Sequence, residues 1–307
     1  MKIAKMTHRL TNFFRKDIWA LNMEELSKAK ARFVRYAKVA IITMKTFSNE
    51  KIGFQSVALS FFSAMAVVPF IAIVFAVTDG LGFADVMKDL TYSVFENSQQ
   101  TIDTVLGFSQ NLISQAEHSA MGLISSIIFS FVVIKLMMNV EKVFNNVWRV
   151  RERRSFIKRL SYVLIMIIIS PFVVLLFFFG TVLYSHTLDF LGVDIENFGI
   201  LKTMLSWTLF SASAAFILTL MYKFIPNAEV SFGTAFRAAV PAAIAFTLIQ
   251  YLYLETQVLV TNMSTVYGAF AAVPLFLMWL NIGWFIILIG SELSYAFQHV
   301  DSYNIED

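Results

Sequence analysis

The chain has 307 residues, 58% hydrophobic and only 15% charged; ordinary soluble domains hold about 45–50% apolar and about 25% charged residues. A soluble fold of this size cannot hide so many apolar side chains, and whole-chain disorder and nucleic-acid binding are excluded with it. Cysteine is absent, which removes thiol catalysis, thiolate metal sites and disulfides, and the net charge of +3 gains meaning only from where the charges sit.

In chain order, residues 1–51 are basic and carry two amphipathic segments. The first, 10–21, presents Phe13, Phe14, Ile18 and Trp19. The second, 24–47, places Leu26, Ala29, Phe33, Ala37, Ala40, Ile41 and Met44 at helical spacing, with Lys28, Arg32, Arg35 and Lys38 mostly off that stripe. Such a helix suits either the anionic inner leaflet or the end of a helix bundle.

A membrane helix needs about 20 apolar residues. Stretches nearly free of charge predict six of them, at about 53–78, 119–138, 160–186, 203–222, 238–258 and 270–292. They are too long for barrel strands and do not alternate. The fold class is therefore an all-α polytopic membrane protein with domain 52–298 and a short tail, 299–307. Asn262, Met263, Ser264, Thr265 and Gly268 read as the loop before span six. Between spans one and two, residues 79–118 are acidic and carry two further amphipathic patterns. This external helical loop is the expected contact for an envelope partner.

Twenty-one of the 24 Lys and Arg residues fall in residues 1–52, the 142–159 loop or the loop between spans four and five. Only Lys88 and Lys202 lie on the opposite side, and Lys135 lies inside span two. The asymmetry puts both termini in the cytoplasm. The first apolar run lies about 50 residues in, without a small-residue cleavage site, and so reads as an anchor.

Polar and bent positions within the spans are few. Pro69 and Pro171 lie mid-span and should kink their helices, whereas Pro241 and Pro274 are placed in or near first turns. Ser56, Ser60, Ser63 and Ala64, and the pairs Ala238/Ala242 and Ala239/Ala243, offer small faces for close helix contact. Candidates for a polar or substrate path are Gln55, Ser56, Ser60, Lys135, Gln250, Glu255, Asn281 and Glu292. Lys135 and Glu292 lie at similar depth, so a pair is allowed, with snorkelling as the competing reading. Glu255 faces either solvent or a cavity with Gln250 and Tyr253. Asn281, mid-span, must face the bundle and find a partner. Arg32, Arg35, Arg151, Arg153 and Arg154 are candidate contacts for anionic headgroups. No GxxxxGK[ST] loop, GxSxG elbow or paired-histidine spacing occurs, so no cofactor, metal or catalytic residue is expected.

Several stretches carry a resemblance. Residues 58–70, Asn145-Asn146-Val147-Trp148 with the arginines at 151–154, Tyr222–Asn227, and Val266–Phe270 with Trp279 and Gly290-Ser291-Glu292 are similar to motifs of the YihY/BrkB family of bacterial inner-membrane proteins. The resemblance covers about residues 45–300. It implies a six-span helical fold and, through the lipid movement linked to some members, a flippase-like role for an amphiphile without ATP of its own. A non-transporting scaffold for an envelope assembly and a small-solute channel are the alternatives. Membrane lipids are the expected partners under the first reading, and nucleic acid is not expected under any.

Overall fold

The structure is a computed structural model that describes residues 18–20, 26–49, 52–82, 120–150, 154–155, 157–169, 199–261 and 265–303, with isolated positions between 85 and 114. Every regular element among them is helical. The named helices are α1 (Ile18–Ala20), α2 (Lys28–Asn49), α3 (Ile52–Gly80), α4 (Ala120–Val147), α5 (Gly199–Phe224), α6 (Phe232–Thr261) and α7 (Thr265–His299), and residues 157–169 are also helical. Four are long and apolar enough to cross a membrane: Ile52–Gly80, Trp207–Phe224, Phe232–Thr256 and Val273–His299. The remainder of the third expected span, with Pro171, lies outside the described residues.

Two boundaries differ from the sequence expectation. Helix α7 begins at Thr265, so Gly268 is helical rather than part of a loop. Pro241 and Pro274 each lie inside a helix, well beyond the first turn. Hydropathy marks where a helix enters the apolar layer, and these helices start before that level. Each proline therefore leaves the carbonyl four residues earlier without its usual partner.

Helix α7 is the hub. It packs on α6, α3, α2, α4 and α5, while α6 also packs along α5 and α3 along α4. The shared core joins Val140, Phe144 and Val147 of α4, Leu218 and Tyr222 of α5, and Leu288 and Ala296 of α7. Ala238, Ala239, Ala242 and Ala243 are all buried on α6, where small side chains let backbones approach. The closest approach is at Gly290. A Cβ there would lie 2.0 Å from the Tyr222 hydroxyl oxygen and 2.8 Å from the Ala242 Cβ. Only glycine fits between these helices.

Helix α2 packs on α7, with Tyr36 against Phe297 and Phe47 against Phe285 at ring separations of 5.7 and 5.2 Å. The buried face is not the expected stripe. Val34, Lys38, Val39, Ile42, Thr43 and Thr46 point inward, while Phe33, Ala40 and Met44 are exposed. Apolar residues occupy two faces of this helix, and periodicity alone cannot say which one meets protein. Ile18 of α1 is buried beside it, and Trp19 tilts against Tyr303 at 5.6 Å with the Lys38 ammonium 5.5 Å from its ring.

Candidate functional site

The basic end of the bundle is organised around one carboxylate. Glu141, near the end of α4, is buried and holds two arginines: Arg154 Nη1 donates to Oε1 at 3.0 Å and Arg159 Nε to Oε2 at 2.7 Å. Arg159 also donates to the Met138 carbonyl at 2.6 Å, and Arg154 to the Ile225 and Pro226 carbonyls at 3.3 and 3.4 Å. Two guanidiniums on one carboxylate leave a positive surplus. Their extra bonds supply what the buried charges lose in hydration.

The same groups pin the turn between α5 and α6. Asn145 Oδ1 accepts from the Asn227 N–H at 2.7 Å, Lys223 donates to the Val230 carbonyl at 2.8 Å, and Tyr162 donates to the Phe224 carbonyl. The Arg154 guanidinium lies 4.0 Å from the Tyr162 ring centre. Together Arg154, Tyr162, Lys223, Phe224 and Glu229 line an open cavity of about 660 Å³. A second cavity, of about 470 Å³, lies between α2 and α6 and is lined by Arg32, Arg35, Tyr36, Arg237 and Phe297. Of its arginines, Arg35 pairs with Asp301 at 2.9 Å.

A third polar cluster surrounds a buried carboxylate. Glu292 is fully buried on α7, flanked by buried Ser291 and Ser294. Arg149 follows α4 in a left-handed turn with φ 52°, donates to Thr46 Oγ1 at 3.1 Å and lies 5.1 Å from the Tyr295 ring. Burial works against its charge, but Tyr295, Tyr303 and Glu292 outweigh burial and raise its pKa. This cluster ties the end of α4 to α2 and α7.

The other sequence candidates are dispersed. Asn281 Nδ2 donates to Ser56 Oγ at 3.3 Å, and Trp284 Nε1 to Ser63 Oγ at 2.8 Å, so both bonds join α3 to α7. Ser56 and Ser60 also bond back to their own helix at Gly53 and Val57. Gln55 and Gln250 are half-buried, and Pro69 is buried within α3. The allowed Lys135–Glu292 pair does not form. Val133 and Leu136 turn the inner face of α4 inward, leaving Lys135 exposed with its ammonium 5.9 Å from the Phe131 ring. Glu255 is exposed and bonded by Tyr251, while Tyr253 stacks on Trp279 at 5.2 Å instead of sharing a cavity with it.

Arg32, Arg35 and Arg154 do reach the basic cavities, whereas Arg151 and Arg153 lie outside the described residues. Sequence reasoning missed Glu141, Arg159, Arg149, Arg237 and Tyr162. The available signal was Glu141 itself, a carboxylate on an apolar helix face followed by the basic loop. Most of residues 79–118 is outside the described set, but Tyr92 donates to Asp103 within it. Among the described residues no three His, Asp or Glu side chains gather to hold a metal.

Comparison with known proteins agrees with this architecture. The family described as Virulence factor BrkB matches residues 43–307. A UPF0761 membrane protein of Haemophilus influenzae is 24% identical over 257 residues, covering 83% of this chain and 93% of the relative. One from Alteromonas mediterranea is 27% identical over 82% of this chain and 85% of its own length. A Psychrobacter relative is 26% identical over 79% of this chain but only 45% of its own length. No solved structure matches. With a match over most of its length and helices able to cross a membrane, the chain belongs to the virulence factor BrkB family and is a multi-pass inner-membrane protein.

Proposed function

We propose that this protein is a flippase-like carrier, with six spans and both termini cytoplasmic, that takes the anionic headgroup of a lipid or related amphiphile at its basic end. It carries out no covalent step and uses no ATP of its own. The observation that supports this reading is the 660 Å³ cavity, where the Arg154 guanidinium, the Lys223 ammonium and the Tyr162 ring meet beside the ends of apolar helices. Glu141 offsets one of the two arginines it holds, so positive charge is left for an anion. The basic loops set the orientation, because they belong on the cytoplasmic side.

The test is reconstitution into liposomes containing a trace of fluorescent anionic phospholipid, with an impermeant quencher added outside. Carrier activity predicts that the protected inner-leaflet signal decays in protein vesicles and persists in empty ones. Lys223→Gln should slow that decay. Equal protection in the two vesicle populations would overturn the proposal.

A further inference from the structure

We infer that the cavity between α2 and α6 is a separate binding site for the phosphate headgroup of an anionic phospholipid, whose acyl chains run along the outward face of α2. Three guanidiniums from two helices, Arg32, Arg35 and Arg237, line this one cavity. Among the described residues, the one ion pair that these three make is that of Arg35 with Asp301. Arginine presents a planar fork of donors that matches phosphate oxygens, and three on one cavity exceed what a single carboxylate neutralises.

The surroundings select a lipid as the source of that phosphate. At 3.6 residues per turn, Ala29, Phe33, Tyr36, Ala40 and Met44 fall within an arc of about 100° on α2. All five are exposed, Phe33 at 74%, Tyr36 at 53% and Met44 at 75%. No charged residue interrupts the arc, and Arg32 borders it. Tyr36 belongs both to the arc and to the cavity wall, so the charged pocket opens directly onto apolar surface. On α6, Phe236 and Val240 are exposed near Arg237 in the chain, outside the cavity lining itself. A soluble anion would use the arginines and leave this surface in water. A phospholipid covers both parts, and the opposite face of α2 is already occupied by α7.

The site goes beyond the carrier reading and does not require transport. Its test uses the full-length protein in phosphatidylcholine nanodiscs doped with phosphatidylglycerol, with retained lipid counted by native mass spectrometry. Wild type should retain phosphatidylglycerol over phosphatidylcholine. A basic group near the surface contributes about 1 kcal/mol toward anionic lipid, so Arg32→Gln and Arg237→Gln should each lower retention about fivefold. Asp301→Asn should raise it, by releasing Arg35. A merely structural Arg35–Asp301 pair predicts no such gain.

Arg32→Lys, which keeps the charge and loses the fork, should fall between wild type and Arg32→Gln. If Arg32→Gln fails to fold, Arg237→Gln and Asp301→Asn decide the matter. Unchanged retention in those variants, or displacement of the lipid by inorganic phosphate, overturns the proposal. A wild-type protein that retains phosphatidylglycerol but flips no lipid refutes the carrier reading alone. A wild-type protein that flips lipid but retains phosphatidylglycerol no better than phosphatidylcholine refutes this one alone.

Discussion

Gly290→Ala tests the helix packing most directly. The added Cβ would lie 2.0 Å from the Tyr222 hydroxyl oxygen and 2.8 Å from the Ala242 Cβ, whereas ordinary contact begins near 3.4 Å. The phenol must therefore move by about 1.4 Å and α6 by about 0.6 Å, these being the shortfalls from 3.4 Å. Tyr222 is fully buried and cannot swing out, so the strain spreads into α5 and α6. Overpacking of this kind costs about 1–3 kcal/mol, and two simultaneous clashes favour the upper part of that range.

The Tyr222 hydroxyl is buried without a hydrogen-bond partner in the structure, so Tyr222→Phe should be neutral or slightly stabilising. Tyr222→Phe should then recover part of the Gly290→Ala loss, because the worst clash is with that oxygen. Thermal unfolding in detergent, followed by the monodisperse peak in gel filtration, measures all four members of the cycle. Gly290→Ala at wild-type stability, or strict additivity with Tyr222→Phe, would refute the argument.

Other expectations are as specific. Glu141→Gln strands two partly buried arginines and should cost about 3–5 kcal/mol in the same assay, with exposure of the 225–231 turn to protease; wild-type behaviour would mean the pairs carry no weight. Trp284→Phe removes the bond to Ser63 and should cost about 0.6 kcal/mol, the average for such bonds in membranes. A loss several times larger would show that ring packing dominates there. Tyr92 should ionise above pH 10, because its hydrogen bond to Asp103 favours the protonated phenol, with slight burial and the Asp103 charge adding to the shift. Whatever stability this bond gives the 79–118 segment is full below pH 10 and lost as pH rises through the raised pKa. Phenolate absorbance checks it, and Asp103→Asn should bring the titration back toward 10.

Composition and charge-free runs made the helical membrane class legible, because the bilayer imposes length and polarity directly on sequence. Asn281 was legible for the same reason: an amide at mid-span needs a bonded neighbour, and it has Ser56. The position of Lys135 was not. Depth follows from sequence, but facing depends on which side of α4 the partners occupy. The true face of α2 was hidden for a similar reason, since both its sides are apolar. Glu141 was overlooked because its meaning lies in Arg154 and Arg159, which approach only after the loop folds back. The match of Gly290 to Tyr222 likewise depends on three-dimensional proximity across 68 residues of chain.

The family match begins at residue 43, partway along α2. Arg32, Arg35 and Tyr36 therefore lie outside the matched residues, whereas Arg237 and Phe297 lie within them. The second cavity is therefore built from both sides of the boundary of the matched residues. Substitutions on the α2 side can retune its charge without disturbing Gly290, Tyr222 or the alanine face of α6. The charge of this cavity and the packing of the bundle are therefore separable by substitution.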